Sequence, residues 1–203
     1  MLINNFISSF TGIVDSDITE VLIPEKCLSF NLRILRASGF ADIVEIITTD
    51  LSLNIKRGDS VRVVGFLYTY QNYLSKYPKL CVCIYSTAIL QTTFTTNKNV
   101  VICQGTVVKQ PKLRKTPTGV VLCDVLLAVN NDLTRISASY IPAICWNNFA
   151  EQMSYVHVGT PIYAVGKLQS REYTKELDGK AQNFITREFS INTFKILEAQ
   201  NDR

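Results

Sequence analysis

The sequence predicts an all-β fold across its 203 residues: two five-stranded Greek-key barrels in tandem, each with one short helix. Three observations carry that prediction. Val, Ile, Thr, Tyr and Phe are plentiful, and these residue types favour strands. The second half alternates apolar and polar residues over five runs, and one stretch between the third and fourth changes to helical period. The first half repeats part of that pattern. GDSVRVVGFLYTY (Gly58–Tyr70) parallels GTPIYAVGKLQSR (Gly159–Arg171), with both glycine pairs seven apart and an offset of 101 residues.

Taken in order, the second half opens with a strand over Asn99–Val108. The connection that follows, KQPKLRKTPTG, carries Lys109, Lys112, Arg114 and Lys115 among prolines and a glycine. A second strand covers Val120–Val129, and NNDLTR (Asn130–Arg135) is a polar turn. The third strand is Tyr140–Trp146. In Asn147–Val156 the residues Phe149, Met153 and Val156 recur at helical spacing, with asparagines placed to cap the start. Pro161–Arg171 is the fourth strand, Leu177–Lys180 (LDGK) a hairpin turn and Ala181–Leu197 the fifth strand. Five strands with a helix between the third and fourth is the order of an OB-fold.

The first half matches more faintly. Phe6–Val14 stands for the first strand, Cys27–Leu35 for the second and Gly58–Tyr70 for the fourth. SLNIKRG stands in for the helix end, and Leu80–Leu90 for the fifth strand. The hairpin QNYLSKYPK, entered from Tyr70, carries Tyr73 and Tyr77 with Lys76 and Lys79. The expected boundaries are 1–93 for a divergent first barrel, 94–98 for a linker, 99–198 for the second barrel and 199–203 for a short tail.

Composition narrows the function. With 47% apolar and 19% charged residues, the chain has material for a core. The net charge of +4 is unevenly placed: residues 1–95 carry eight Lys/Arg and eight Asp/Glu, residues 96–203 thirteen and nine. Such an asymmetry points to a polyanion partner for the second half. The start, MLINNFISSFTG, lacks the pattern of a secretory signal, and no run reaches the ~18 apolar residues of a membrane span, so the expected location is the cytoplasm. The six cysteines then read as reduced thiols in apolar strands. Cys81 and Cys83 would share a strand face, but no second Cys or His pair sits at ligand spacing, so no metal or other cofactor is expected. His157 is the sole histidine. Without a phosphate-binding glycine loop or a nucleophile motif, catalysis is not expected.

The basic connection is informative because of its neighbours. On an OB-fold the loops after the first and fourth strands border the face that holds single strands. Phosphates want Lys and Arg, and unpaired bases want flat side chains to stack on. Tyr140 and Trp146 are six apart on one strand and therefore share a face. Tyr173 lies in the polar stretch REYTKELDGK between Arg171 and Lys175. The candidate nucleic-acid-binding residues are thus Lys109, Lys112, Arg114, Lys115, Tyr140, Trp146, Arg171, Tyr173 and Lys175, with Tyr70 and Tyr73 from the first half. The competing reading of Trp146 is a core residue, and that of the first-half tyrosines is interface packing.

The second half also resembles the bacterial single-stranded DNA-binding proteins. The strings that carry the resemblance are NVVICQGTVVKQPKLRKTPTG, VLLAVNN, SYIPAICWNNFAE, VGTPIYAVGKLQSREYTKELDGK and FITREFSINTFKILE, which cover Asn99–Glu198 in order. The tandem arrangement is also similar to some primosomal replication protein N relatives. The resemblance implies base stacking at Tyr140, Trp146 and Tyr173, with Lys109 and Arg114 on a hairpin along the nucleic acid. It implies roles in replication, recombination or repair, and a homodimer that brings four barrels around the strand. A further stacking aromatic of the family has no counterpart near Leu133. The family's acidic, phenylalanine-ended tail has none after EAQNDR, which fits an accessory or mobile-element role. Nothing in these residues reads a 2′-hydroxyl, so RNA stays open beside DNA. The rival class is a protein-binding adaptor that docks primosome or helicase-loading partners, since OB-folds serve that role too.

Overall fold

The computed structural model describes residues 8–23, 25–72, 79–93, 96–131, 136–177 and 179–198. The first half contributes β1 (Ser8–Val14), β2 (Thr19–Leu22), β3 (Lys26–Leu35), β4 (Ala41–Thr48), β5 (Ser60–Asn72) and β6 (Lys79–Gln91). The second contributes β7 (Lys98–Val107), β8 (Lys112–Lys115), β9 (Val121–Asn131), β10 (Ile136–Trp146), α1 (Asn148–Ser154), β11 (Pro161–Leu177) and β12 (Lys180–Ile196). All strands join one sheet in the order β2-β3-β4-β6-β5-β1-β7-β11-β12-β10-β9-β8.

Each half closes on itself in the same way. β1 pairs with both β3 and β5, and β7 with both β9 and β11. The third and fifth strands run parallel, β4 beside β6 and β10 beside β12. These are two OB-fold barrels, and antiparallel pairing of β1 with β7 (Ser9↔Val100, Phe10↔Asn99) makes one continuous sheet of them. Phe10, Phe30 and Phe189 are fully buried in a cluster that runs through both barrels. Each such side chain stabilises the fold by about 1.5–3 kcal/mol.

The repeated glycines have repeated causes. Gly58 and Gly159 take positive φ, 96° and 89°, in the turn before the fourth strand. Gly65 and Gly166 sit where the partner strand crosses closely, so that a Cβ would lie 2.3 Å from the Tyr85 carbonyl oxygen and 2.0 Å from that of Ser190. Both hairpins bulge at that point, between Val64 and Gly65 and between Val165 and Gly166.

Three features depart from the sequence expectation. Among the described residues the first barrel has no helix. Between β4 and β5 the chain makes turns, in the first of which Asp50 takes the N–H of Ser52 at 3.0 Å and its hydroxyl at 2.5 Å. Leu53 and Ile55 then pack against the core two residues apart. In the second barrel, α1 forms with Ala150 and Met153 buried, but Asn147 makes no side-chain cap. It turns at φ 51° and its carbonyl accepts from Ala150 and Glu151. Finally, the basic connection contains a strand of its own, β8, and β11 runs on past Arg171 to Leu177. Among the described residues no helix is long and apolar enough to cross a membrane.

Candidate nucleic-acid interface

The site is a sheet face, and register decides what lies on it. In β10 the residues Ile141, Ala143 and Cys145 enter the core. Tyr140, Pro142, Ile144 and Trp146 therefore point to the opposite side. Ile144 lies beside Ser190 of β12. On β12 that same side continues through Glu188, Thr186 and Phe184, which face Gln169, Arg171 and Tyr173 of β11. On the other flank Trp146 lies opposite Leu122 of β9, which in turn pairs with Arg114, while Lys112 pairs with Asp124. One face of the second barrel thus brings together Tyr140, Trp146, Arg171, Tyr173, Lys175, Lys112 and Arg114. Lys115 alternates to the other side of β8, and exposed Lys109 precedes that strand.

The aromatic groups differ in how they are held. Tyr140 is 51% exposed. Trp146 is half-buried, and its indole N–H donates to Ser190 Oγ at 3.0 Å, which fixes the ring plane. Tyr173 is 37% exposed and stacks on Phe184 with ring centroids 5.6 Å apart and planes 25° apart. Phe184 was not anticipated. Its partner lies across a hairpin eleven residues back, a contact visible only once register is known.

Carboxylates sit among the cations. The Arg114 guanidinium grips Asp124 with two hydrogen bonds, Nε to Oδ2 at 2.7 Å and Nη2 to Oδ1 at 3.1 Å. Glu188 lies at the centre of the face. Burial pushes its carboxyl above the ordinary range, the charge of Asp124 adds to that, and Arg171 and Arg114 oppose it. Sequence reasoning missed Glu188, because acidic residues scattered along strands carry no spacing signal.

Tyr70 lies elsewhere. It belongs to the first barrel, and its hydroxyl donates to Glu45 Oε1 at 2.7 Å. Burial and the Glu45 charge hold that phenol well above its ordinary value. The ring lies beside Arg187 in a groove between the first barrel and the β11–β12 hairpin, not on the face just described. Tyr73, with Tyr77, falls outside the described residues. Cys81 and Cys83 do share a side of β6, opposite Tyr70 and Tyr68, and Cys83 is buried. Among the described residues no group of three His, Cys, Asp or Glu is arranged to hold a metal. Burial pushes the Cys103 and Cys145 thiols up to about 12.

The sequence profile of the Single-strand binding protein family matches residues 98–196. Over 110 residues the chain is 33% identical to Single-stranded DNA-binding protein 1 of Streptococcus pyogenes, a match that covers 52% of this chain and 81% of that protein. Over 108 residues it is 31% identical to the Single-stranded DNA-binding protein of Enterococcus faecalis, covering 51% of this chain but only 56% of that one. The chain therefore spans a little over half the length of this second relative. The solved structure of the wild-type single-stranded DNA binding protein from Thermus aquaticus aligns over 98% of this chain and 97% of its own, with a TM-score of 0.72. At 18% identity that likeness is one of fold, and it includes both barrels.

Proposed function

The chain belongs to the single-strand binding protein family, and on that premise we propose that it binds single-stranded DNA with little sequence specificity, in replication, recombination or repair. Bases stack on Tyr140, Trp146 and Tyr173. Phosphates meet Lys112, Arg114, Arg171 and Lys175 on the face, with Lys109 and Lys115 on the arm beside it. The observation that carries the reading is the register of β8 to β12, which turns three aromatic rings and the guanidinium groups of Arg171 and Arg114 to one side of one sheet. A flat ring accepts any base, so discrimination between sequences is weak.

The reading asks for no catalysis, only a reversible grip. A protein-docking adaptor finds less support, because a surface that interleaves exposed rings with cations suits bases and phosphates together. Two chains assembled as a homodimer would place four barrels around one strand. The test is a titration of labelled oligo(dT), oligo(U) and duplex DNA into the full-length protein, following anisotropy and the emission of Trp146, the sole tryptophan. Tight single-strand binding with quenching of Trp146 and salt-dependent affinity is the expected result. No binding at moderate salt would end the proposal and leave the adaptor. Light scattering at tens of micromolar decides between monomer and dimer.

A further inference from the structure

The two barrels share a topology but not a surface. Aligning their strand registers puts Val21 at the place of Arg114, Thr19 at that of Lys112, Thr49 at that of Trp146 and Tyr70 at that of Arg171. At these four places the first barrel's counterpart face has therefore lost its cations and its tryptophan, while Arg33 stands at the far end of the same side of β3, opposite Ile43. It has also been filled. Tyr68 and Cys83 are buried there with Cys27 and Ile47, and Phe66 stacks on Tyr85 at 5.3 Å. A ring already covered by its neighbours has no face left for a base.

The long β11–β12 hairpin separates two grooves at the junction of the barrels, and they differ in charge. One, of about 490 Å³, includes Asp17, Glu45, Tyr70 and Arg187. Its guanidinium is spent: Arg187 donates to Glu45 at 3.2 Å, to the Ile43 carbonyl at 2.8 Å and to Asn31 at 3.1 Å. A polyanion has nothing to gain there. The other, of about 540 Å³, is bordered by Arg33, Arg36, Arg171 and Phe40, with Asp15 and Glu172 as its carboxylates. Asp15 lies 3.9 Å from Arg57, and Arg36 is engaged by Asp42. Arg33 pairs with no carboxylate among the described residues. Phe40 stands 72% exposed on the tight turn between β3 and β4, where the Arg36 N–H donates to the Phe40 carbonyl at 2.7 Å. A tight turn that presents a bare phenyl ring beside a guanidinium with no carboxylate partner among the described residues repeats the chemistry of the second barrel's face. Arg171 belongs to both surfaces and joins them.

We propose that the first barrel contacts single-stranded nucleic acid through the Arg33–Phe40 groove, at the β3–β4 end of its sheet face, and not through the filled part of that face, so that the strand leaves the second barrel at Arg171 and places a base on Phe40 and a phosphate on Arg33. This rests on the single-strand binding proposed above. The groove lengthens the site without the filled part of the first barrel's face.

The test uses the full-length protein with oligo(dT) of about 10 nucleotides, enough for one barrel, and of about 30. The double variant Arg33→Ala/Phe40→Ala binds the short oligonucleotide as the wild type does and the long one at least about fivefold more weakly, the low end for one lost stacked base. The salt slope for the long oligonucleotide falls by ~0.7 in Arg33→Ala. Phe40→Trp keeps the affinity and adds an emission quenched by the long oligonucleotide only. Unchanged long-oligonucleotide affinity in the double variant, with Trp146→Ala and Tyr173→Ala weakened, overturns the groove alone. If Trp146→Ala and Tyr173→Ala also bind as wild type, the second-barrel reading falls with it.

Discussion

The backbone N–H of Ser170, on the second barrel's hairpin, donates to the buried carboxylate of Asp42, on the third strand of the first barrel, at 2.9 Å. Ser170 Oγ accepts in return from the Ile43 N–H at 2.8 Å. The opposite junction repeats the relationship more weakly, where the Thr69 N–H donates to Ser139 Oγ at 3.3 Å. Thr69 and Ser170 hold the same place in their hairpins, as do Ser139 and Asp42 in their third strands. Each barrel thus clasps the other's hairpin, and the charge has been placed on one side only.

Asp42 also receives Arg36 and the Asn99 amide, at 3.1 Å for the latter. Asp42→Ala would take one acceptor each from the Arg36 guanidinium and the Asn99 amide, which keep the Ser170 and Leu168 carbonyls, and would strip the Ser170 N–H of its partner. Removing one partner of such a buried pair costs about 3–5 kcal/mol. Ser139→Ala, at the uncharged junction, costs about 0.5–1.5 kcal/mol. Urea denaturation of the two variants checks the order. Equal losses would mean that Asp42 does not anchor the junction.

For the aromatic face, Tyr173→Ala weakens oligo(dT) binding by about 1–3 kcal/mol, the range for one stacked base. Its cost to folding is small, about 0.5–1.5 kcal/mol for the lost stack on Phe184. Trp146→Ala weakens binding by a similar amount but also lowers stability, because the ring is half-buried and its loss strands Ser190. Trp146→Phe separates the two effects, since it keeps a ring for stacking and drops the Ser190 bond. Anisotropy titrations beside thermal melts read both quantities. A Tyr173→Ala variant with wild-type affinity would remove the stacking role.

How far the sequence carried this depends on the kind of information each residue needed. Strand period alone placed Tyr140 and Trp146 on one face, and the glycine repeat located both fourth strands, because those are local properties. The β4 strand, ADIVEIIT, escaped because it is short and carries two carboxylates, one of which, Asp42, is buried at the junction. Tyr70, held by Glu45 in the groove beside Arg187, shows a related limit. Alternation says which side of a sheet a ring takes, but not whether another element has covered that side. Glu188 and Phe184 became visible only with the register of a hairpin whose arms reach 17 residues each.

Glu188 should make binding depend on pH. Its carboxyl is raised by burial and by Asp124, against Arg171 and Arg114. A raised acid takes up a proton on folding, so its favourable contribution is complete below the ordinary carboxylate value and is lost as pH rises through the raised one. At neutral pH the buried charge opposes folding, and Glu188→Gln is the more stable protein. The same charge repels a phosphate backbone. Oligo(dT) affinity therefore rises as pH falls from neutrality toward the Glu188 titration. Glu188→Gln binds more tightly at pH 7 and loses that part of the dependence. A variant with the wild-type pH profile would assign the dependence to another group.

The Arg114–Asp124 pair sets how many cations are free to meet phosphates. Both partners are about half exposed, so the pair itself adds little to stability. Its consequence is for binding, because a phosphate reaching Arg114 must compete with a carboxylate that already takes two of its donors. If about four cations engage phosphates, log affinity falls against log salt with a slope near −3, at ~0.7 per contact for single strands. Asp124→Asn releases the guanidinium and removes a negative charge from the face. Affinity then rises at low salt, and the slope steepens by up to ~0.7 as Arg114 becomes a full contact. Arg114→Ala in the same background returns the shallower slope. Titrations at four or five salt concentrations separate these cases. Identical slopes for Asp124→Asn and the wild type would mean that Arg114 serves to hold β8 against β9 and does not touch the strand.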